Sequence, residues 1–282
     1  MSPIRSAPHH GRNRRRLRRW LPRAAMLLAL AIVTTGCKST AFTRMGLLPP
    51  VTKQGEVTLH MWQGSWIAAW AVGVVVWGGI LWAVIFHRKR GDQLPQQVRY
   101  NLPIEILYTV LPFIMVGVIF YFTARDENYI TKLPHPAVVV DVTGFQWSWQ
   151  FQYPHYHVTP PGGPTSVVTE NGAMWNPGAA TQNLPQLVIP ENEPVQFNLT
   201  SIDVIHAFWV VPFEFKRDVI PGFPNKFDIT AIRTGSFIGR CTELCGVYHS
   251  RMLFRIRIVT PAQFRQWIHG QQLQQSRSGG AQ

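Results

Sequence analysis

The sequence predicts a two-helix transmembrane hairpin followed by an all-β domain built as a sandwich or barrel. Two apolar stretches, residues 65–86 and 102–124, each have about the 20 residues that cross a bilayer. From residue 137 onwards, short strand-like stretches are separated by turn residues with no helix between them, which indicates a sandwich or barrel. Thiol, imidazole and thioether side chains are concentrated between residues 241 and 252, which indicates that this domain binds a metal.

The first 36 residues have the composition of a secretory signal peptide. They contain eight Arg and no acidic residue, and their basic run precedes an apolar stretch that is short for a membrane span. Gly36-Cys37 after this stretch resembles a bacterial lipoprotein cleavage site, which predicts a lipid on Cys37. Thr34 stands where an aliphatic residue is usual, so an uncleaved signal anchor is the alternative.

The segment 37–124 is predicted to hold the hairpin. The loop from His87 to Arg99 is rich in Lys and Arg, which places the loop in the cytoplasm and the residues from Arg125 onwards outside. Glu105 lies near the start of the second span. It either marks the helix end at the membrane interface or is functional, because carboxylates inside a span often mark proton or ion paths.

The formal net charge of +13 does not indicate nucleic-acid binding. Eight basic residues lie in the first 36, whereas the segment from Arg125 to the C-terminus has twelve Lys and Arg against eleven Asp and Glu, a net of +1. The charge is therefore a feature of targeting and topology. Nucleic acid is excluded as a predicted partner.

The predicted extracytoplasmic domain covers residues 125–272. Residues 154–184 are rich in Pro, Gly, Asn and Thr and are predicted to be an irregular insertion. Thr260 and Pro261 predict the start of a helix that ends near residue 271, and residues 273–282 are predicted to be a disordered tail. The predicted strands are 137–142, 145–153, 186–190, 194–199, 206–211, 226–232, 236–240 and 253–259.

Three aromatic residues alternate with polar ones in the second predicted strand. Phe145, Trp147 and Trp149 should therefore share one face of that strand. Such a stripe is usually part of a core. An exposed Trp among the three would be a candidate for the point at which electrons arrive from a partner.

The metal-binding motif combines soft and borderline ligands. Cys241, Cys245, His249 and Met252 lie within a dozen residues, and His206 lies upstream. This set suits copper in an electron-transfer site, but a blue-copper centre needs only one thiolate. The surplus thiol is explained if both sulfurs bridge two copper ions, each with one terminal imidazole. Because the thiols bracket a loop at a strand end, we expect the ligands to share one end of the domain.

Two other interpretations of the motif stay open at this point. Zinc can use two Cys and two His, but it usually takes a paired His motif and has no use for a Met. A disulfide between Cys241 and Cys245 is permitted in an exported domain. It would leave His206, His249 and Met252 without a shared reason for their spacing.

Residues from about 60 to 265 resemble subunit 2 of the haem–copper cytochrome c oxidases. The resemblance rests on the hairpin and on the order of four motifs. These motifs are Gly144-Phe-Gln-Trp-Ser-Trp, His206-Ala-Phe-Trp-Val-Val-Pro, Asp218-Val-Ile-Pro-Gly and Cys241-Thr-Glu-Leu-Cys-Gly-Val-Tyr-His-Ser-Arg-Met.

The resemblance implies an N-terminal two-helix transmembrane hairpin plus an all-β cupredoxin-like Greek-key sandwich that holds two copper ions in a binuclear CuA centre. The residues that correspond to the family's copper ligands are His206, Cys241, Cys245, His249, Met252 and, through its backbone carbonyl, Glu243.

Other family roles also map onto this chain. The side chain of Glu243 corresponds to a magnesium ligand at the interface with subunit 1, Trp147 to the tryptophan that receives electrons, and Glu105 to a carboxylate at the mouth of a proton channel. Ser148 replaces an aromatic residue that is common in the family, and Phe223 stands where Arg is frequent.

The implied function is that of the electron-transfer subunit of a proton-pumping, aa3-type cytochrome c oxidase in the plasma membrane. Its implied partners are oxidase subunits 1 and 3 and a c-type cytochrome or the cytochrome bc complex in a supercomplex. A membrane-tethered copper carrier and a quinol-oxidase subunit are the alternatives. The acidic residues considered for steering a basic cytochrome are Asp126, Glu127, Asp141, Asp203 and Asp218.

Overall fold

The computed structural model describes residues 39–89, 91, 97–160 and 184–279. It divides into two units at residue 47. In the first unit, a short helix, α1 (Ser39–Thr43), is followed by a turn in which the Arg44 side chain donates to the Leu47 carbonyl at 3.1 Å. The predicted signal peptide, Cys37 and residues 161–183 of the predicted insertion lie outside the described residues.

The second unit begins with two long apolar helices, α2 (Lys53–Phe86) and α3 (Leu102–Ile130). Both are long and apolar enough to cross a membrane, and they contain the predicted spans. The hydroxyl of Thr52 caps α2 by accepting the N–H of Gly55 at 2.9 Å. At 1.5 Å per residue the 34 residues of α2 extend about 51 Å. The helix is therefore about 20 Å longer than the hydrocarbon core of a bilayer, which is about 30 Å thick.

Described residues 138–259 of the second unit form a β-sandwich, which confirms the predicted fold class. One sheet has the order β2-β1-β4-β7 and the other the order β3-β9-β8-β5-β6. Most neighbours are antiparallel, but β1 pairs with β4 and β3 with β9 in parallel. The strands are β1 (Val138–Phe145), β2 (Ser148–Gln152), β3 (Gln186–Pro190), β4 (Pro194–Ser201), β5 (His206–Val210), β6 (Phe215–Val219), β7 (Asn225–Thr230), β8 (Gly235–Cys241) and β9 (Leu253–Val259).

The core between the sheets is rich in aromatic rings. Phe254 stacks on Phe208 at 4.8 Å between ring centroids and meets Trp149 edge to face at 5.5 Å. Gly239 lies against this cluster, where a Cβ atom would overlap the Phe254 ring. Since all three rings are buried, the aromatic cluster forms a close-packed support beneath the strand ends.

The hairpin joins the sandwich through the residues at the start of α2. Val51 donates its N–H to the carbonyl of Pro212 at 3.0 Å and accepts the N–H of Ile232 at 2.9 Å. The side chain of Gln54 accepts the N–H of Thr230 at 3.1 Å. These contacts lie where β5 and β7 end, which is the opposite end of the sandwich from the start of β5 and the end of β8.

The prediction of a single strand over 145–153 is wrong. Phe145 ends β1 and pairs with Ser148 at the start of β2, so the chain reverses direction at Gln146 and Trp147. Phe145, Trp147 and Trp149 therefore do not share a strand face. Trp149 is fully buried, whereas Trp147 is half-buried in the turn.

Two further elements differ from prediction. The edge strand β6 was not predicted, because the charged Arg217 lies on its less exposed side and breaks the apolar alternation. The final helix, α4 (Pro261–Gly279), begins where predicted, with Thr260 and Gln263 capping each other, but it continues past residue 271. The prediction of a disordered tail from residue 273 is therefore wrong as far as Gly279. At the start of the predicted insertion, residues 154–156 form one turn of 3-10 helix.

Candidate metal centre

The predicted copper ligands come together at one end of the sandwich. His206 begins β5, Cys241 ends β8 and Met252 directly precedes β9. Because β8 pairs with both β5 and β9, these three positions are adjacent in the sheet. The loop between β8 and β9 carries Cys245 and His249 back over the same strand ends.

The donor atoms form one compact group. Those of His206, Cys241 and Cys245 lie within 4.8 Å of one another. Cys241 Sγ is 3.8 Å from His206 Nδ1, and Cys245 Sγ is 3.5 Å from His249 Nδ1. Cys245 Sγ is also 3.7 Å from Met252 Sδ. Each thiol therefore has its own imidazole, as two ions with one terminal His each would require.

The two sulfurs have a spacing that fits shared metal ions. Cys241 Sγ and Cys245 Sγ are 3.8 Å apart, far longer than the about 2.05 Å of a disulfide, so the disulfide alternative is wrong for this structure. Two metal–sulfur bonds of about 2.3 Å can span up to about 4.6 Å, so both sulfurs can bind the same ion. The carbonyl oxygen of Glu243 lies 3.2 Å from Cys241 Sγ and adds an oxygen donor.

Asp203 orients one imidazole from behind. Its Oδ1 lies 2.8 Å from His206 Nε2, and its other oxygen accepts the N–H of Gln146 at 2.6 Å. A carboxylate at Nε2 favours the tautomer with the proton on that nitrogen. The lone pair of Nδ1 is then directed to the side of Cys241.

Burial and local contacts give the two thiols different pKa values. Burial acts to raise the pKa of Cys241, but contacts with His206 and the Ala207 backbone outweigh it and lower the pKa. Burial and the charge of Cys241 raise the pKa of Cys245 to about 12. Burial acts to lower the pKa of His206, yet its contacts with Cys241 and Asp203 leave that pKa raised. Cys241 therefore loses its proton at a lower pH than Cys245.

Trp147 forms one wall of the site. Its indole N–H donates to the carbonyl of Cys245 at 3.2 Å, and its ring meets Tyr248 edge to face at 4.9 Å. Gly246 has a φ of +123° and lies so close that a Cβ there would be 3.2 Å from the indole. The half-buried tryptophan is therefore in direct contact with the backbone of a predicted ligand.

Other predicted site residues lie elsewhere. Glu105 accepts the backbone N–H of Asn101 at 3.0 Å, an arrangement that stabilises the start of α3. Asp126 is not an exposed steering acid, because it is buried and paired with Arg125 at 2.7 Å. Asp141 accepts from the side chain of Asn198 at 2.7 Å.

Exposed apolar side chains, here called the apolar collar, lie on the loops of the metal end. Among described residues 138–259, every exposed large hydrophobic side chain lies on a loop at this end, and apolar surface gathered at one place typically marks an interaction site. The residues of the collar are Ile202, Val204, Ile205, Phe223, Leu244 and Val247.

Sequence reasoning missed the supporting roles of Asp203 and Gln146. Asp203 was considered only for steering a cytochrome, and Gln146 was not singled out. The signal for Asp203 was its position three residues before His206, since metal-binding histidines commonly donate their second nitrogen to a carboxylate. Gln146 gave no signal, because its partners lie 57 and 99 residues away.

Comparison with known proteins matches this chain to one family. The family model described as cytochrome C oxidase subunit II, periplasmic domain, matches residues 138–259. A probable cytochrome c oxidase subunit 2 from Streptomyces avermitilis is 45% identical over 291 residues, covering 90% of this chain and 88% of the relative. The subunit 2 of Mycobacterium bovis is 37% identical over 295 residues, covering 89% and 81%.

The solved periplasmic domain of oxidase subunit II (CoxB) from Bradyrhizobium japonicum has 29% identity and a TM-score of 0.44, covering 51% of this chain and 99% of that domain. The alignment with the Streptomyces avermitilis relative covers nine tenths of the chain, at 45% identity. The chain therefore belongs to the family of cytochrome c oxidase subunit 2.

Proposed function

We propose that this chain is the electron-accepting subunit of an aa3-type cytochrome c oxidase. It takes electrons from a c-type cytochrome at a binuclear CuA centre and passes them to haem in subunit 1, where oxygen is reduced to water and protons are pumped. The observation that carries the proposal is the donor group in which each of two buried thiols, 3.8 Å apart, has its own imidazole.

The proposed ligands are His206, Cys241, Cys245, His249 and Met252, with the carbonyl of Glu243. Copper bound by such a set supplies one-electron transfer. The protein contributes a rigid arrangement of the donor atoms. His206 and Met252 are fully buried, and the indole of Trp149 donates to the Met252 carbonyl at 3.4 Å, so the donor positions are fixed by the core.

Trp147 is the proposed point at which electrons arrive. It is half-buried at the surface and bonded to the Cys245 carbonyl, so it connects the solvent side with the backbone of a ligand. The exposed side chain of Glu243 is free to bind magnesium at the interface with subunit 1, while its carbonyl faces Cys241. The apolar collar supports docking of oxidase subunits and the cytochrome donor at this end.

The remaining assignments concern the membrane. The two apolar helices support a multi-pass protein of the plasma membrane with the copper domain outside. We propose that Glu105 lies at the mouth of a proton channel, that Cys37 carries a lipid, and that subunit 3 and a cytochrome bc complex are further partners.

The test uses the purified oxidase complex that contains this chain. Trp147→Phe should lower the rate of cytochrome c oxidation by about tenfold or more, the scale of a barrier increase of about 1.4 kcal/mol. Trp267→Phe, the same change in the half-buried face of α4, is the matched control. An unchanged rate in Trp147→Phe, or a native complex that oxidises quinol in place of cytochrome c, contradicts the proposal.

A further inference from the structure

Gln146 connects both halves of the candidate metal centre. Its side-chain amide donates to the carbonyl of Cys245 at 2.7 Å. Its backbone N–H donates to Asp203 at 2.6 Å, and Asp203 in turn holds His206. Gln146 is thus hydrogen-bonded both to the loop that carries Cys245 and to Asp203, the carboxylate that holds the imidazole next to Cys241.

The carbonyl of Cys245 has two donors from neighbouring residues. Gln146 approaches it at 2.7 Å and the Trp147 indole at 3.2 Å. The shorter contact belongs to a flexible side chain on the solvent side, and the longer one to a ring wedged against Tyr248. Both donors therefore converge on one carbonyl oxygen, and the shorter of the two hydrogen bonds belongs to Gln146.

Gly246 makes this arrangement possible. A Cβ at this position would lie 3.2 Å from Gln146 Nε2 and 3.2 Å from two atoms of the Trp147 indole. A side chain here would require Gln146 or Trp147 to shift by a few tenths of an ångström, and the φ of +123° favours glycine.

We propose that Gln146 is a positioning residue for electron transfer: it aligns the Cys245 carbonyl with the Trp147 indole and links that carbonyl to the Asp203–His206 pair. The inference rests on the proposed function of Trp147. It assigns Gln146 to the path between donor and metal, distinct from binding of the donor itself.

The first experiment measures the hydrogen bond in the copper-free full chain in detergent. With tryptophan labelled by 15N in the indole ring, the Trp147 signal is the one of 11 that Trp147→Phe removes. Gln146→Met keeps the length of the side chain and deletes its donor. We expect the indole resonance to shift and its hydrogen exchange to change by about two- to tenfold. Gln150→Met, on the outer face of β2, should leave the signal unchanged. An unmoved Trp147 signal in Gln146→Met overturns the proposal.

The second experiment separates positioning from donor binding in the oxidase complex. Gln146→Met should lower kcat for cytochrome c oxidation while KM stays unchanged. Gln146→Glu should lower kcat further, because its carboxylate oxygen would repel the carbonyl oxygen of Cys245. A raised KM with native kcat would assign Gln146 to the docking surface and overturn the positioning role. Because the indole measurement needs no copper or cytochrome, it distinguishes failure of this inference from failure of the proposed function.

Discussion

Replacement of Gly239 by Ala tests whether the aromatic core supports the metal end. The Phe254 ring lies where the new Cβ would be, and it is fully buried between Phe208 at 4.8 Å, Phe151 at 5.3 Å and Trp149 at 5.5 Å. Overpacking of this kind costs about 1–3 kcal/mol, and because the ring is enclosed on several sides we expect about 3 kcal/mol. Trp149 should be displaced as well, and with it the carbonyl of Met252.

The assay is urea unfolding of the purified full chain in detergent, followed by near-ultraviolet circular dichroism of the domain. Gly270→Ala is the matched control, because a Cβ in this part of α4 meets nothing within 4 Å and alanine favours a helix by about 1 kcal/mol. The same chemical change should therefore have opposite signs at the two positions. A Gly239→Ala variant within about 0.5 kcal/mol of the native chain would refute the reasoning.

Three further predictions concern the site and its supports. Tyr153→Phe should cost about 2–3 kcal/mol, because its buried hydroxyl bonds both the N–H and the carbonyl of Val188 at 2.8 Å and both would lose their partner. Gly246→Ala should cost about 1–3 kcal/mol through its positive φ and should move the Trp147 indole signal. Copper affinity of the full chain should rise with pH in chelator competition between about pH 6 and about pH 8, because the pKa of Cys245 is raised to about 12 and its thiol must lose a proton to bind metal.

Each of these has a control and a contrary result. Tyr156→Phe removes a hydroxyl from a half-exposed ring, and an equal cost in both tyrosine variants would contradict the role of the Val188 bonds. For Gly246, an alanine variant with native stability and an unmoved indole signal shows that the loop has room for a side chain. Copper affinity that is flat or falls with pH shows that binding releases no thiol proton.

The limits of an element were predicted correctly where the residues in and next to that element determine its structure. The limits of β3 and β9 were predicted correctly. The first is a short apolar stretch and the second alternates between apolar and charged residues, and turn residues flank both. The reversal at Gln146 and Trp147 was missed because no Gly or Pro marks it, and Phe145 and Trp149 are themselves good strand residues. The long α4 was cut short because its polar, Gln-rich end resembles a tail, although Gln is a good helix former.

The metal centre was partly decided by sequence. Four of the five side-chain donors lie within twelve residues, so their spacing alone indicated a site, and His206 was the upstream imidazole that completed the set. Contacts formed only by folding could not be predicted in this way. Gln146 reaches Cys245 across 99 residues, because the β1–β2 turn and the β8–β9 loop meet at one end of the sandwich.

The central claim is that the two thiols and their imidazoles hold a pair of copper ions. The most direct test is metal analysis combined with electron paramagnetic resonance of the intact, purified chain. The proposed centre predicts two copper ions per chain that share a single unpaired electron, and the loss of that signal in Cys245→Ser. A single copper with an isolated spin, or zinc in its place, would contradict the assignment.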